Sequence, residues 1–253
     1  MLRRWAARPF TSLLERLPSQ CQICRAWPAQ PMCEACVARF ASPLPRCARC
    51  AIPLPAPLDS EPQASICAEC ARHPPPLDAC LAACSYAWPW AECISDFKFR
   101  GEAGRAGPLA MLLRSAPWVE PAVEQADLLL PMPLAPGRLR ERGFNQAHEL
   151  ARRLDARKTD PRLLLRLRET PAQSGLDRRE RLRNLRGAFA LDPLRAEAVR
   201  GRRVLLVDDV MTTGASLFAA AGLLRGAGAA RIAAVVLART DAPDFADAPE
   251  TAR

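Results

Sequence analysis

The chain has 253 residues, 49% of them hydrophobic and 25% charged, with a formal net charge of +9. This length allows one or two domains with a packed core and a soluble surface. Arg3, Arg4, Arg8, Glu15 and Arg16 interrupt the first twenty residues, and the aliphatic runs elsewhere are only strand-length. A signal peptide, a membrane span and membrane insertion are therefore not expected, and a cytoplasmic location is.

Residues 1–17 fit an amphipathic helix with no assignable role. Eight cysteines follow in four CxxC pairs, Cys21/Cys24, Cys33/Cys36, Cys47/Cys50 and Cys67/Cys70. The segments between them are rich in Pro, Ala and Arg and too poor in aliphatics to make a core. One CxxC turn places two thiolates within reach of a tetrahedral ion, and two turns complete four sulfur ligands. Two zinc ions are predicted, with the pairs used in sequence: Cys21, Cys24, Cys33 and Cys36 on one, and Cys47, Cys50, Cys67 and Cys70 on the other. An interleaved arrangement has the same spacing, and iron–sulfur binding shares the cysteine count. Disulfides need an oxidising compartment, to which nothing in the chain points. Closed four-thiolate sites are structural, because no position is left for a substrate. Cys80, Cys84 and Cys93 fall outside the pattern and are expected as small buried hydrophobes.

Pro74, Pro75 and Pro76 form a stiff connector. The expected organisation is a cysteine-rich module over residues 18–75 and a second domain over residues 80–240. Residues 80–90 read as a strand and residues 91–115 as a helical region broken at Arg100-Gly101-Glu102. Residues 126–132 read as a buried strand, 144–154 as a helix and 163–167 as a further strand. Strands at 204–207 and 232–237 flank a helix at 215–225. This alternation predicts an α/β fold with a parallel sheet flanked by helices and ligands at its carboxyl edge. The stretch from Asp241 to Arg253, made of small, acidic and proline residues, is expected to fray.

From Pro136 to Arg186 there are 15 Lys and Arg against 7 Asp and Glu, a net of +8, so this belt carries most of the positive charge. Eight zinc-bound thiolates would lower the charge of the whole chain to about +5. Only Lys98 and Lys158 are lysine. Arg138, Arg140 and Arg142 suit a pyrophosphate, since guanidinium groups bind phosphate oxygens in pairs. The same belt suits a single-stranded nucleic acid, with Phe97, Phe99 or Phe144 as stacking surfaces. A solvated helix face is the plainer reading of any one arginine. Asn145 and Gln146 fix a turn or add donors. Gln173, Ser174, Arg178, Arg181 and Asn184 form a polar string that suits either a closing loop or a capped surface helix. His73 and His148 do not have the setting of catalytic residues.

The most informative stretch is Val204-Leu-Leu-Val-Asp-Asp-Val-Met-Thr-Thr-Gly-Ala-Ser216. An apolar strand ends in Asp208 and Asp209, and a hydroxyl and glycine turn leads into a helix. A helix start offers free N–H groups and a positive dipole end to a phosphate. The carboxylates suit vicinal hydroxyls or magnesium. A ribose 5-phosphate carries both kinds of group. A buried strand running into an ordinary capped helix would use the same residue types.

This segment resembles the phosphoribosyl-pyrophosphate loop of type I phosphoribosyltransferases. The resemblance implies that Asp208 and Asp209 face the ribose 2′ and 3′ hydroxyls, and that Thr212, Thr213, Gly214, Ala215 and Ser216 wrap the 5′-phosphate. Three further segments, Phe97-Lys-Phe-Arg-Gly101, Arg138-Leu-Arg-Glu-Arg-Gly-Phe-Asn-Gln146 and residues 170–184, extend it. With the cysteine module they resemble the ComF/GntX family over residues 21–239. That resemblance implies a zinc ribbon before a phosphoribosyltransferase-like domain, and a role in DNA uptake or a less defined housekeeping role. It implies binding of phosphoribosyl pyrophosphate with magnesium, with or without pentosyl transfer, or a single-stranded DNA-binding adaptor among DNA-uptake proteins. Pro131-Met-Pro-Leu-Ala-Pro136 stands where the salvage enzymes carry a pyrophosphate loop, and its prolines leave fewer backbone donors. No hood that would select a base is evident.

Overall fold

A computed structural model describes residues 19–55, 65–99, 102–168 and 187–241. Four parallel strands form the central sheet: β1 (Ala79–Ser85), β2 (Leu128–Pro131), β5 (Arg203–Met211) and β6 (Arg231–Arg239), in the order β1-β6-β5-β2. β5 and β6 pair from Arg203 beside Arg231 to Met211 beside Arg239. β5 also holds β2, and β6 holds β1.

Alternation along each strand builds two cores, because successive side chains point to opposite faces. Val204 and Leu206 enter one core with Leu217, Phe218, Ala221 and Leu224 of α8 (Ala215–Gly226). Leu205 and Val207 enter the other. There they meet α3 (Trp90–Phe99), α4 (Ala106–Ser115), α5 (Val119–Gln125) and α7 (Gln146–Asp155). Each fully buried aliphatic or aromatic chain here stabilises the fold by about 1.5–3 kcal/mol relative to exposure. The α/β architecture with a helix-flanked parallel sheet is as expected.

Several boundaries differ from the sequence reading. The first strand stops at Ser85, and Trp90 opens α3 instead of closing the strand. Pro89, which has no N–H for a ladder, separates the two. The expected strand at 163–167 exists as β3 (Leu164–Arg166), but it lies outside the parallel sheet. It pairs antiparallel with β4 (Phe189–Leu191), a strand its short apolar run did not announce. The helix expected over 144–154 is preceded by a separate short one, α6 (Pro136–Arg142). Pro136 sits in its first turn, where a missing N–H costs nothing. Gly143 ends α6 with a left-handed φ of 77°. The amphipathic N-terminal helix, the polar string at 173–184 and the fraying tail lie outside the described residues, as do Arg100 and Gly101.

The cysteine-rich stretch supplies α1 (Glu34–Phe40) and α2 (Ala68–Arg72). Its eight paired cysteines form two groups in chain order, Cys21/Cys24/Cys33/Cys36 and Cys47/Cys50/Cys67/Cys70, with all sulfurs in a group within 4.8 Å of one another. Cys47, Cys50 and Cys70 lie in the same core as β5 and α8. Among the described residues no helix is long and apolar enough to cross a membrane.

Candidate functional site

The cysteine groups meet the geometry of metal sites. Sγ–Sγ separations are 3.9 Å for Cys21 and Cys36, 3.6 Å for Cys24 and Cys33, and 3.8 Å for Cys50 and Cys67. Four sulfurs at zinc–thiolate bond length lie about 3.8 Å apart along tetrahedral edges. None of the eleven cysteines is paired in a disulfide. The two four-cysteine clusters are thus consistent with structural zinc sites in the sequential pairing. Cys80 and Cys84 belong to neither group, and burial pushes both thiols up to about 12, so they are inert as acids. Burial also raises Cys93.

The second feature lies at the carboxyl edge of the sheet. β5 ends at Met211, and Gly214 with φ 78° caps α8 without a side-chain bond. A Cβ on Gly214 would stand 2.3 Å from Met211 Cε and 2.7 Å from Phe218 Cζ, so the turn closes only around glycine. Thr213 Oγ1 accepts the Ala215 N–H at 3.4 Å. Helix geometry leaves the next N–H groups, those of Ser216 and Leu217, without intrahelical acceptors. A cavity of about 230 Å³ opens here, lined by Asp208, Val210 and every residue from Met211 to Leu217. Thr212, Thr213, Gly214, Ala215 and Ser216 all face it.

A neighbouring cavity of about 180 Å³ shares Asp208, Val210 and Ser216 with the first. Its walls carry Lys98, Arg138, Arg142, Arg166 and Gln146, together with Asp209 and the segment Met132–Leu134. Asp208 and Asp209 leave β5 on opposite faces. Asp208 shares the α8 side with Leu206, and Asp209 shares the α3 side with Val207. Lys98 Nζ lies 3.2 Å from Asp209 Oδ1. Asp208 Oδ1 accepts from Asp209 N at 2.9 Å. Burial, and then the charge of Asp209, raise its carboxyl from 3.8 to about 7, against a lowering pull from Lys98.

Asn145 fixes the corner between α6 and α7. Its Oδ1 caps α7 through the His148 N–H at 3.3 Å, and its Nδ2 donates to the Met132 carbonyl at 3.0 Å. Gln146 is 1% exposed; its Oε1 accepts from Arg142 Nη1 at 3.2 Å, and among the described residues its Nε2 has no hydrogen-bond partner. Arg140 is exposed on α6 and does not line the cavity. Phe97 is fully buried against Phe144, ring centroids 5.3 Å apart, and cannot serve as a stacking surface. The helical period turns it inward while Phe99 stays 67% exposed, with the Arg142 guanidinium 5.2 Å above its ring. His73 is exposed at the end of α2, 3.6 Å from Glu69, and His148 is half-buried on α7.

The phosphoribosyl transferase domain family matches residues 139–250. The DNA utilization protein YhgH of Escherichia coli O6:H1 is 32% identical over 239 residues, covering 88% of this chain and 98% of that protein. Competence protein F of Haemophilus influenzae is 33% identical over 214 residues, covering 82% and 90%. This chain belongs to the ComF family. A third relative, competence protein ComFC of Bacillus subtilis, is 35% identical over 59% of each chain.

In this ComF-family chain, three charged residues at or beside the two cavities carry no distinguishing mark in the sequence. Lys98 stands in the Phe97–Gly101 segment, and its pairing with Asp209 depends on α3 folding over the sheet. Arg166 reaches the cavity from β3, outside the motif segments. Arg239 is 5% exposed at the end of β6 and donates to the carbonyls of Met211, Thr212 and Cys50. Its only sequence signal is a charge closing an apolar strand.

Proposed function

We propose that this protein binds phosphoribosyl pyrophosphate with magnesium in the cleft beyond β5, as a phosphoribosyltransferase-like member of its family. The observation that carries the reading is the pair of adjoining cavities. One is lined by a hydroxyl-bearing helix start and the other by four cations, with Asp208 between them. A ligand with phosphates at both ends of a diol fits that distribution. The turn Thr212–Ser216 receives the 5′-phosphate through backbone N–H groups. Asp208 and Asp209 accept the ribose hydroxyls. Arg138 and Arg142 receive the diphosphate. A magnesium ion bound with the diphosphate neutralises part of its charge.

If the protein is a catalyst, an acceptor lone pair forms the new bond to ribose C1. The C1–oxygen bond breaks with its electron pair leaving on pyrophosphate. The carboxylates then stabilise the positive sugar and the guanidinium groups the leaving group. Calorimetry with phosphoribosyl pyrophosphate and magnesium tests the site. Micromolar binding that vanishes in Asp208→Asn/Asp209→Asn is expected, and unchanged affinity in that variant would remove the assignment.

The relatives' names, DNA utilization and competence, favour a second reading in which single-stranded DNA or a DNA-uptake protein is the partner. Exposed Arg138 and Arg140 with Phe99 then form the contact surface. Oligonucleotide affinity should fall steeply between low and physiological salt, and salt-insensitive or undetectable binding would remove it. The division into a zinc module over 18–75 and a transferase-like domain over 80–240 belongs to the same proposal. So does a cytoplasmic location.

A further inference from the structure

A buried guanidinium persists only where its donors find acceptors. Arg239 meets that condition by spanning two regions of the molecule. Its Nε donates to the Cys50 carbonyl at 2.9 Å, and Cys50 is a member of the second four-cysteine cluster. Its Nη1 donates to the Met211 carbonyl at 3.1 Å and to those of Thr212 and Thr240. One side chain thus ties a cysteine-cluster residue to the first two residues of the turn.

The bond directions matter. A trans peptide points its carbonyl and its N–H in opposite directions. Holding the carbonyls of Met211 and Thr212 toward Arg239 turns the N–H groups of the same peptide planes away from it. Thr212 and Thr213, which carry those N–H groups, line the turn cavity. A second strand of contacts runs alongside. Cys80 donates its N–H to the Ala48 carbonyl, inside the Cys47–Cys50 turn, at 2.8 Å. Its thiol lies 3.5 Å from Met211 Sδ. Among the described residues the first cluster has no such link. Its surroundings attach to the other side of the molecule, through Gln22 to Arg105 at 3.0 Å and through the Phe40 carbonyl to Trp90 at 2.7 Å.

We propose that Arg239 is a positioning residue that couples metal loading of the Cys47/Cys50/Cys67/Cys70 cluster to the shape of the turn at Met211–Ser216. The second metal, and not the first, then sets affinity for a sugar phosphate there. With Cys50 Sγ held by an ion, the short CxxC turn fixes its carbonyl, which fixes the guanidinium plane and so the turn. The affinity part rests on the reading of the turn as a phosphate site; the coupling part does not.

The test compares the intact chain with Arg239→Lys, Cys67→Ser and Cys24→Ser. It measures bound zinc per chain, amide hydrogen exchange across 211–216, and the calorimetric affinity for phosphoribosyl pyrophosphate. A lysine keeps the charge, but one ammonium cannot span both groups of carbonyls. Arg239→Lys should keep both zinc ions, exchange faster at 211–216 and bind roughly tenfold more weakly, as expected for losing a charge-assisted hydrogen bond. Cys67→Ser should lose one ion and behave the same way, and Cys24→Ser should lose one ion and leave 211–216 as in the parent. Parent-like exchange in Arg239→Lys, or an equal effect from Cys24→Ser, overturns the coupling. If Cys67→Ser does not fold, Arg239→Lys decides alone. If the parent binds no phosphoribosyl pyrophosphate, the functional reading fails while the exchange data still judge the coupling.

Discussion

The turn after β5 offers a ligand its own backbone, drawn from one unbroken run of residues, Met211 to Leu217. The cavity beside it offers long side chains carried by α3, α6, α7, β3 and β5. The first half is rigid: its conformation follows from a glycine, a helix start and the end of a paired strand. The second half depends on how five elements pack. Contiguous, backbone-built sites tolerate little change at a few positions, whereas assembled sites spread their binding energy and tolerate more. Substitutions in the two halves should therefore differ in kind, and the differences can be measured.

The largest effect is expected at Gly214. An alanine there must adopt a φ of 78°, which costs about 1–2 kcal/mol for a residue with a Cβ. The new methyl meets the Phe218 ring at 2.7 Å as well as the more yielding tip of Met211, and overpacking of that kind costs about 1–3 kcal/mol. Gly214→Ala should lose about 2–5 kcal/mol in urea unfolding and also lose the phosphate site. A variant with parent stability would show that the turn relaxes easily and is not the rigid half.

The same contrast explains what could be read from the chain. The strand Val204–Val207, the acidic pair, the turn and α8 are adjacent in sequence, so local physics fixes their order and direction. The paired cysteines are legible because a CxxC turn is short. β3 was legible as an apolar run, but its place outside the parallel sheet was not, and β4 escaped recognition because a three-residue strand carries no usable period. The inward aim of Phe97 needed the helical phase of α3, which the break at 100–102 obscures. Lys98 and Arg166 meet at the assembled cavity, and Arg239 reaches the turn, only through tertiary packing. No spacing rule links residues 98, 166 and 239.

A smaller effect concerns Asp208, which belongs to both halves. Its carboxyl is raised from 3.8 to about 7, first by burial and then by Asp209. The folded chain therefore holds this proton over a range where the unfolded chain has released it. Stability from this group is fully present below pH 3.8 and is lost as pH rises toward about 7. The unfolding free energy of the parent should fall relative to Asp208→Asn across that window, and the gap should level off above it. Parallel curves for the two proteins would mean that Asp208 is solvated and already ionised.

The smallest effects separate two arginines on one short helix. Arg142 lines the assembled cavity, holds Gln146 Oε1 at 3.2 Å and lies over Phe99. Arg140, two residues earlier, points to solvent. Arg142→Ala removes a ligand-facing charge and frees the buried carboxamide of Gln146, whose Nε2 already lacks a partner among the described residues. It should weaken phosphoribosyl pyrophosphate by about 1.5–3 kcal/mol, the range for hydrogen bonds to charged groups. It should barely change ribose 5-phosphate, which lacks the diphosphate that Arg142 receives. Arg140→Ala should stay within about 0.5 kcal/mol for both ligands, as exposed surface changes do. Equal losses for the two variants would mean that α6 acts through its summed charge. The sequence triplet of arginines would then be the functional unit, and not the one side chain that packing directs into the site.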